Sequence, residues 1–232
     1  MIDRLVGLKP SQGTKLDDTS RISKLNWNDD YGDWQGLASY EDQRPRYQAI
    51  ARIIREFHPE GSVLDVGCGE GILANYLSPA VRYTGIEPSA KALAAVSASK
   101  ITCHHTTAEE FQSGEERWDI IIFNEMLYYS SDPEALLMKF ANLLWPNGII
   151  INSIYQKRNS WRTCLKFFFI NRMSNARCTR IVKAFITGEN WIIEKEQTIS
   201  QLNREPWWLI TVCPPSLASM ANIKEMVTLA AV

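Results

Sequence analysis

A chain of 232 residues and 26.5 kDa, 45% apolar and 22% charged, has the length of one α/β domain and enough apolar side chains for its own core, which excludes an intrinsically disordered chain. Its 25 basic and 26 acidic side chains leave a formal charge of -1, so it lacks the overall basic excess of a nucleic-acid binder and any charge-based recognition must be local. No stretch has the continuous apolar length of a membrane span, and five scattered cysteines form no Cys-x-x-Cys pair, so a cytoplasmic protein with reduced thiols, no membrane span, no disulfide framework and no metal is expected.

In chain order, residues 1–30 are polar without periodicity, and Tyr31, Trp34 and Tyr40 then appear in a polar background. Residues 1–44 are expected to form an N-terminal arm, its aromatics either packing it onto the body or serving as a lid over a pocket. Ile50, Ile53, Ile54 and Phe57 recur at helical spacing, which predicts an amphipathic helix over Arg46–Phe57 that ends before His58-Pro59-Glu60-Gly61. Short apolar runs then alternate with helical ones. Strands are expected at Ser62–Val66, Tyr83–Glu87, Ile101–His105, Asp119–Asn124 and Gly148–Tyr155, and helices at Ile72–Leu77, Ala90–Ser99 and Pro133–Leu144. Such alternation predicts an α/β fold, a mostly parallel sheet with helices on both faces.

The last third reads differently. Trp161–Ile170 is strongly apolar, Thr179–Ile186 is expected to be helical, and Trp191–Ile199 and Pro206–Cys213 read as two strands turning around Asn203–Glu205. An antiparallel hairpin closing one sheet edge brings the strand total to seven. The expected division is a cofactor-binding core over residues 45–155, substrate-facing helices and the closing hairpin of the same domain over 156–213, and a tail over 214–232.

The most informative segment is Val63-Leu64-Asp65-Val66-Gly67-Cys68-Gly69-Glu70-Gly71, which places glycines where a strand hands over to the next element. Glycines there permit a sharp turn and a close ligand approach to the main chain. The spacing is Gly-x-Gly-x-Gly with an acid two residues ahead, whereas a dinucleotide site uses Gly-x-Gly-x-x-Gly around a pyrophosphate. A carboxylate at Asp65 repels phosphate and suits a ligand with an ammonium group. Glu87 ends the next strand, where a carboxylate can accept both hydroxyls of a ribose. Thr107-Ala108-Glu109-Glu110-Phe111 follows the third strand, and Trp118–Asn124 runs a fourth strand into the rim Glu125-Met126-Leu127-Tyr128-Tyr129.

Over residues 45–155 these segments resemble the successive motifs of class I S-adenosylmethionine-dependent methyltransferases, with Val63–Gly71 the most specific part. The resemblance implies a Rossmann-like fold and S-adenosyl-L-methionine as cofactor. It implies Asp65, Gly67 and Gly69 around the methionine moiety, Glu87 on the ribose, Ala108 and Glu109 near the adenine, and Asn124, Glu125 and Tyr128 towards the reaction site. Many members carry an aspartate before the alanine of the third motif; Thr107 stands there in this chain.

Plainer readings stand beside these. The glycine segment could be a tight turn without ligand, Asn124 and Glu125 a strand-end cap, and Tyr128 and Tyr129 packing over the sheet. His104 and His105, adjacent on a strand, point to opposite faces and make a poor metal pair. Between Lys157 and Lys183 lie eight basic residues and no acidic one, which suits either a solvated face or an anionic substrate. Phe167-Phe168-Phe169 within it reads as a buried helix rather than a membrane-surface contact. The expected activity is methyl transfer to an oxygen or nitrogen of a small molecule or short peptide in secondary metabolism, with Glu125 or Tyr128 taking or orienting the acceptor's proton and no nucleic-acid partner. A catalytically silent methyltransferase-like module is the alternative; a nicotinamide-dependent oxidoreductase is disfavoured by the glycine spacing and Asp65.

Overall fold

The computed structural model describes residues 43–96, 101–155, 195–201 and 205–213. The aromatic arm residues Tyr31, Trp34 and Tyr40, the segments Trp161–Ile170 and Thr179–Ile186, the basic residues between Lys157 and Lys183, and the tail all lie outside the described residues.

Helix α1 (Arg44–Phe57) starts with Pro45 in its first turn, where a missing N–H leaves no helical bond unmade. It buries Tyr47, Ile50, Ile53 and Ile54 and ends at His58, ahead of Pro59. Strands β1 (Ser62–Val66), β2 (Arg82–Glu87), β3 (Thr102–His105), β4 (Trp118–Asn124) and β5 (Leu144–Tyr155) run parallel, and β6 (Lys195–Gln201) and β7 (Glu205–Cys213) add an antiparallel pair at the β5 edge. The order across the sheet is β3-β2-β1-β4-β5-β7-β6, so five of its seven strands are parallel. The chain leaves β1 towards β2 and β3, then returns to β4 on the other side of β1. That reversal opens a crevice at the carboxyl ends of β1 and β4, the usual ligand position in an open α/β sheet.

Alternation along the central strands divides the core between two faces. Val63, Ile120, Ile122, Ile149 and Ile151 pack with Ile50, Ile53 and Ile54 of α1. Leu64, Val66, Ile121, Phe123 and Ile150 pack with Leu136, Leu137 and Phe140 of a helix on the other face, α3 (Pro133–Ala141). Asp132 caps α3 by accepting from the Ala135 N–H at 3.1 Å, and Pro133 fills its first position. The short α2 (Ala90–Ala94) is capped by Ser89, whose Oγ accepts from the Ala92 N–H at 3.2 Å. At the opposite end of the sheet, Asp119 Oδ2 accepts from both the N–H and the hydroxyl of Ser62, at 2.7 and 2.8 Å, and pins β1 to β4 in register.

Four predicted elements differ in form or bounds. Ile72–Leu77 is a single 3-10 turn, Ile72–Tyr76, because it starts from a left-handed Gly71 without a side-chain cap and Pro79 restricts the residue before it. The helix predicted to reach Leu144 stops at Ala141, since Leu144 already pairs with Trp118. Strand β5 accordingly begins before Gly148. The pairing slips from Trp118 with Leu144 to Ile120 with Ile149, and the turn-forming Trp145-Pro146-Asn147-Gly148 is the length that slips. The helix expected over Ala90–Ser99 is α2 in its first half; residues 97–100 lie outside the described ones.

Candidate active site

The glycine segment turns at the end of β1 and is held against the end of β2. The N–H groups of Gly67 and Cys68 both donate to the Ile86 carbonyl, at 2.8 and 3.1 Å. The Gly69 N–H donates to Oε2 of Glu87 at 3.0 Å, and the Ser89 N–H to its Oε1 at 2.8 Å. Gly67 and Gly69 have φ of +74° and +55°, a region other residues enter at a penalty. A β-carbon on Gly67 would press on Met126 at 3.1 Å, whereas one on Gly69 would meet nothing within 4 Å. The loop therefore presents an open backbone face beside a carboxylate whose orientation is fixed by two amides. Burial pushes the Glu87 carboxyl up from its ordinary range, opposed by the bonds from Ser89 and Gly69 and by the charge of His105.

Asp65 lies on the α1 face, 2% exposed. Its Oδ2 accepts from the Tyr83 hydroxyl at 2.6 Å, while Oδ1 is buried without a hydrogen-bond partner. Burial raises its pKa to about 6; the Tyr83 bond opposes this, the charge of Glu87 adds to it, and that of Arg46 counters it. A buried carboxylate with an unused oxygen is a cost to folding unless a cation or donor arrives.

Arg46 was not among the residues singled out from sequence. It projects from the first turn of α1, 4% exposed, with Nη2 donating to the Tyr47 hydroxyl at 3.2 Å and Nη1 3.8 Å from Oε2 of Glu125. The available signal was its position: Arg46, Ile50, Ile53 and Phe57 share one helical stripe, so a guanidinium stands where the periodicity calls for an apolar side chain.

At the end of β4, Oδ1 of Asn124 accepts from the Ser153 hydroxyl at 2.7 Å, and the Glu125 N–H donates to the Ser153 carbonyl at 3.1 Å. Glu125 takes φ of +62°, among the described residues the sole non-glycine in that region, a strain of the kind that marks functional sites. Tyr128 belongs to the one-turn 3-10 helix Leu127–Tyr129; its side chain lies outside the described residues. Beyond β3, Ala108 is buried, Oε1 of Glu109 accepts from the Ser130 hydroxyl at 3.0 Å, and Lys139 of α3 donates to the carbonyls of Ala108 and Glu109 at 3.0 and 2.7 Å. His104 stacks obliquely near Phe111, and His105 Nε2 meets the Pro88 carbonyl at 3.0 Å, so the adjacent histidines have separate partners. The fold thus brings Asp65, Gly67, Gly69, Glu87, Asn124 and Glu125 to the carboxyl ends of β1, β2 and β4, with Ala108 and Glu109 on the loop that follows β3.

A three-layered α/β core with this crevice, a glycine turn and an acid ending the second strand defines a Rossmann-like α/β fold. Residues 39–183 match the family described as a methyltransferase domain, and the chain belongs to that family, the class I S-adenosylmethionine-dependent methyltransferases. Two ubiquinone biosynthesis O-methyltransferases are similar to it. That of Aromatoleum aromaticum is 39% identical over 101 residues, 39% of this chain and 42% of that protein. That of Pasteurella multocida is 31% identical over 165 residues, 63% of this chain and 66% of that protein. The chain therefore spans less than two thirds of either relative. Among solved structures, magnesium protoporphyrin IX methyltransferase from Synechocystis PCC 6803 with bound S-adenosylhomocysteine superposes with a TM-score of 0.62 at 16% identity, covering 86% of this chain and 100% of that one. Among the described residues no helix is long and apolar enough to cross a membrane.

The residues present fit the family's cofactor, S-adenosyl-L-methionine. The unpartnered Oδ1 of Asp65 is an acceptor for an ammonium, and Glu87 retains lone pairs on both oxygens for a vicinal diol.

Proposed function

We propose that the chain transfers the methyl group of S-adenosylmethionine to an oxygen of a small molecule or short peptide in secondary metabolism, with a nitrogen acceptor as the less favoured case. The observation that carries the reading is the pairing of a buried, half-satisfied Asp65 with an amide-oriented Glu87 on either side of the open glycine loop. Oxygen is favoured because the relatives reported above are O-methyltransferases. An acceptor carrying an acidic group is supported by the basic residues between Lys157 and Lys183. Residues 1–44 as an arm and lid, 45–155 as the cofactor-binding core, 156–213 as its substrate-facing continuation and 214–232 as a tail remain the division this reading uses.

When bound, the cofactor supplies a sulfonium-activated methyl group for in-line displacement. The chain's own work is to bind and orient. Asp65 would take the ammonium through Oδ1, and Arg46, a buried cation of α1 whose charge acts on Asp65, would take the carboxylate of the same amino-acid end. Gly67 and Gly69 would let the main chain approach, Glu87 would accept the ribose hydroxyls, and Ala108 and Glu109 would border the adenine. Asn124, held by Ser153, would face the sulfur end of the pocket. Glu125 and Tyr128 would take or orient the acceptor's proton, with much of the acceleration coming from collinear alignment in a water-poor site. The strained backbone at Glu125 and its approach to Arg46 support a shared role for this carboxylate at the junction of cofactor and acceptor.

Calorimetric titration with S-adenosylhomocysteine, with an Asp65→Ala, Glu87→Ala double variant as control, tests the cofactor site. Micromolar binding that the variant loses is expected; absence of binding by the parent protein would demote the enzyme to a degenerate or silent module. Glu125→Gln and Tyr128→Phe should then lower turnover with a hydroxyl-bearing acceptor while leaving that affinity nearly intact. Equal loss of both at Glu125 would assign it to holding Arg46 instead.

A further inference from the structure

The glycine loop also brings together two thiols that methyl transfer does not use. Because the Gly67 and Cys68 N–H groups are both bound to the Ile86 carbonyl, the loop folds back over β2. In the sheet, Gly85 of β2 stands opposite Asp65 of β1 on one side and opposite Cys103 of β3 on the other. With no side chain at Gly85, Cys68 settles onto its backbone. A β-carbon built there would meet Cys68 Sγ at 2.5 Å and Cys103 Sγ at 3.5 Å, so both sulfurs converge within 3.5 Å of one point. The two residues come from a loop and a strand far apart in sequence, and a missing β-carbon is what lets them meet.

Both cysteines are free and partly exposed, and Cys103 sits on β3, the edge strand of the sheet. The Cys68 thiol donates to the Gly69 carbonyl at 3.7 Å, and the interaction of the two neighbouring sulfurs holds the Cys103 thiol below its ordinary range and pushes Cys68 above it. One sulfur is thereby readied as a nucleophile and the other as a protonated resolving thiol. The charges of Asp65 and Glu87 act against thiolate formation at both sulfurs.

We propose that Cys68 and Cys103 form an oxidisable pair, a hydroperoxide-sensitive modification site whose closure to a disulfide ties the glycine loop to the edge strand β3. The Cys103 thiolate attacks one oxygen of the hydroperoxide, the O–O bond breaks, and a sulfenic acid forms with release of hydroxide or alkoxide. The Cys68 sulfur then attacks the Cys103 sulfur, the S–OH bond breaks, and water leaves with the Cys68 proton. Two thiols are oxidised by two electrons and one hydroperoxide is reduced. Forming the bond brings the two sulfurs to bonding distance, and the Gly67–Gly69 loop, rather than the sheet-paired β3, is the part that moves. That movement pulls on the Gly69 N–H that orients Glu87, so oxidation weakens cofactor binding; this last step rests on the cofactor site proposed above.

The test treats the full chain with hydrogen peroxide, alkylates the remaining thiols and maps disulfide-linked peptides by mass spectrometry. S-adenosylhomocysteine is titrated in parallel before oxidation, after it, and after dithiothreitol. A Cys68–Cys103 linkage is expected, with affinity at least about tenfold weaker when oxidised, restored by reduction, and indifferent to peroxide in Cys103→Ser. Overoxidation of either cysteine without the linkage, or linkage of either to another cysteine instead, would overturn the pair. A linkage that leaves the affinity unchanged would overturn its coupling to the loop. Failure of the reduced protein to bind would count against the cofactor site, while the peptide map decides the pair by itself.

Discussion

The two faces of the sheet are built from the same strands and do opposite work. Against α3 the sheet presents Leu64, Val66, Ile121, Phe123 and Ile150, and an aromatic group of Phe111, Phe123 and Phe140 fills the gap, with ring centroids 5.5 to 6.1 Å apart. Against α1 the apolar residues give way, towards the carboxyl ends of the strands, to Asp65, Glu87 and Asn124, with the Tyr83 hydroxyl bound to Asp65 and Arg46 of α1 near Glu125. A strand residue's face is set by its parity, so one strand can supply stability and chemistry to different layers. The comparison teaches that the buried strand carboxylates Asp65 and Glu87 lie on the α1 side, and that the largely apolar α3 side must carry the stability this arrangement forfeits.

The comparison can be broken most forcefully at Phe140. It is fully buried between Phe111 and Phe123, and Phe140→Ala should lower unfolding free energy by about 3–5 kcal/mol. Denaturant unfolding checks this, and S-adenosylhomocysteine affinity of the folded fraction should not change. A lost affinity with little loss of stability would mean the faces are not divided as described.

At Asp65 the opposite balance is expected. A carboxyl raised to about 6 in the folded state from 3.8 binds more protons folded than unfolded, so its contribution is present at low pH and lost as pH rises through about 6. Asp65→Asn should therefore leave stability unchanged below about pH 4 and raise that of the ligand-free protein at pH 7 by up to about 3 kcal/mol. The same variant should bind S-adenosylhomocysteine about thirtyfold more weakly, roughly 2 kcal/mol, because it loses the partner of the ammonium. In the parent protein, binding between about pH 5 and 7 should strengthen with pH and release a proton, since an arriving cation favours the ionised carboxyl. Calorimetry in buffers of different ionisation enthalpy reads that proton; no release would mean that Asp65 does not face the charge.

Local signals made the central strands and the glycine loop legible in the sequence. Apolar runs of Ser62–Val66 and Trp118–Asn124, glycines at Gly67 and Gly69, and Glu87 at a strand end each stand in one short stretch. Asp132 and Pro133 likewise announce the start of α3. The end of that helix and the start of β5 were misplaced because Leu144 suits either element, and its pairing with Trp118 decides the matter only in three dimensions. Arg46 was passed over because periodicity was read for apolar residues, and its meaning depends on Asp65 and Glu125, far away in the chain. The contact of Cys68 with Cys103 depends on a sheet register and a missing β-carbon at Gly85, neither of which any local pattern encodes.

The smallest expected effect lies where the two faces meet. Lys139 belongs to α3, yet its ammonium reaches over to the carbonyls of Ala108 and Glu109, and Ser130, just before the α3 cap, holds the Glu109 carboxylate. Partial burial lowers the Lys139 pKa, opposed by the charge of Glu109. If residues 107–111 border the adenine, Lys139 is a positioning residue that acts through them. Lys139→Met keeps an unbranched stem and removes the two bonds and the ammonium 5.7 Å from the Phe140 ring centre, and should weaken S-adenosylhomocysteine binding by about 1 kcal/mol, roughly fivefold, with turnover at saturating cofactor unchanged. Turnover that falls while the affinity holds would place the loop on the acceptor's side of the crevice, and the carboxylate of Glu109 would then face the substrate.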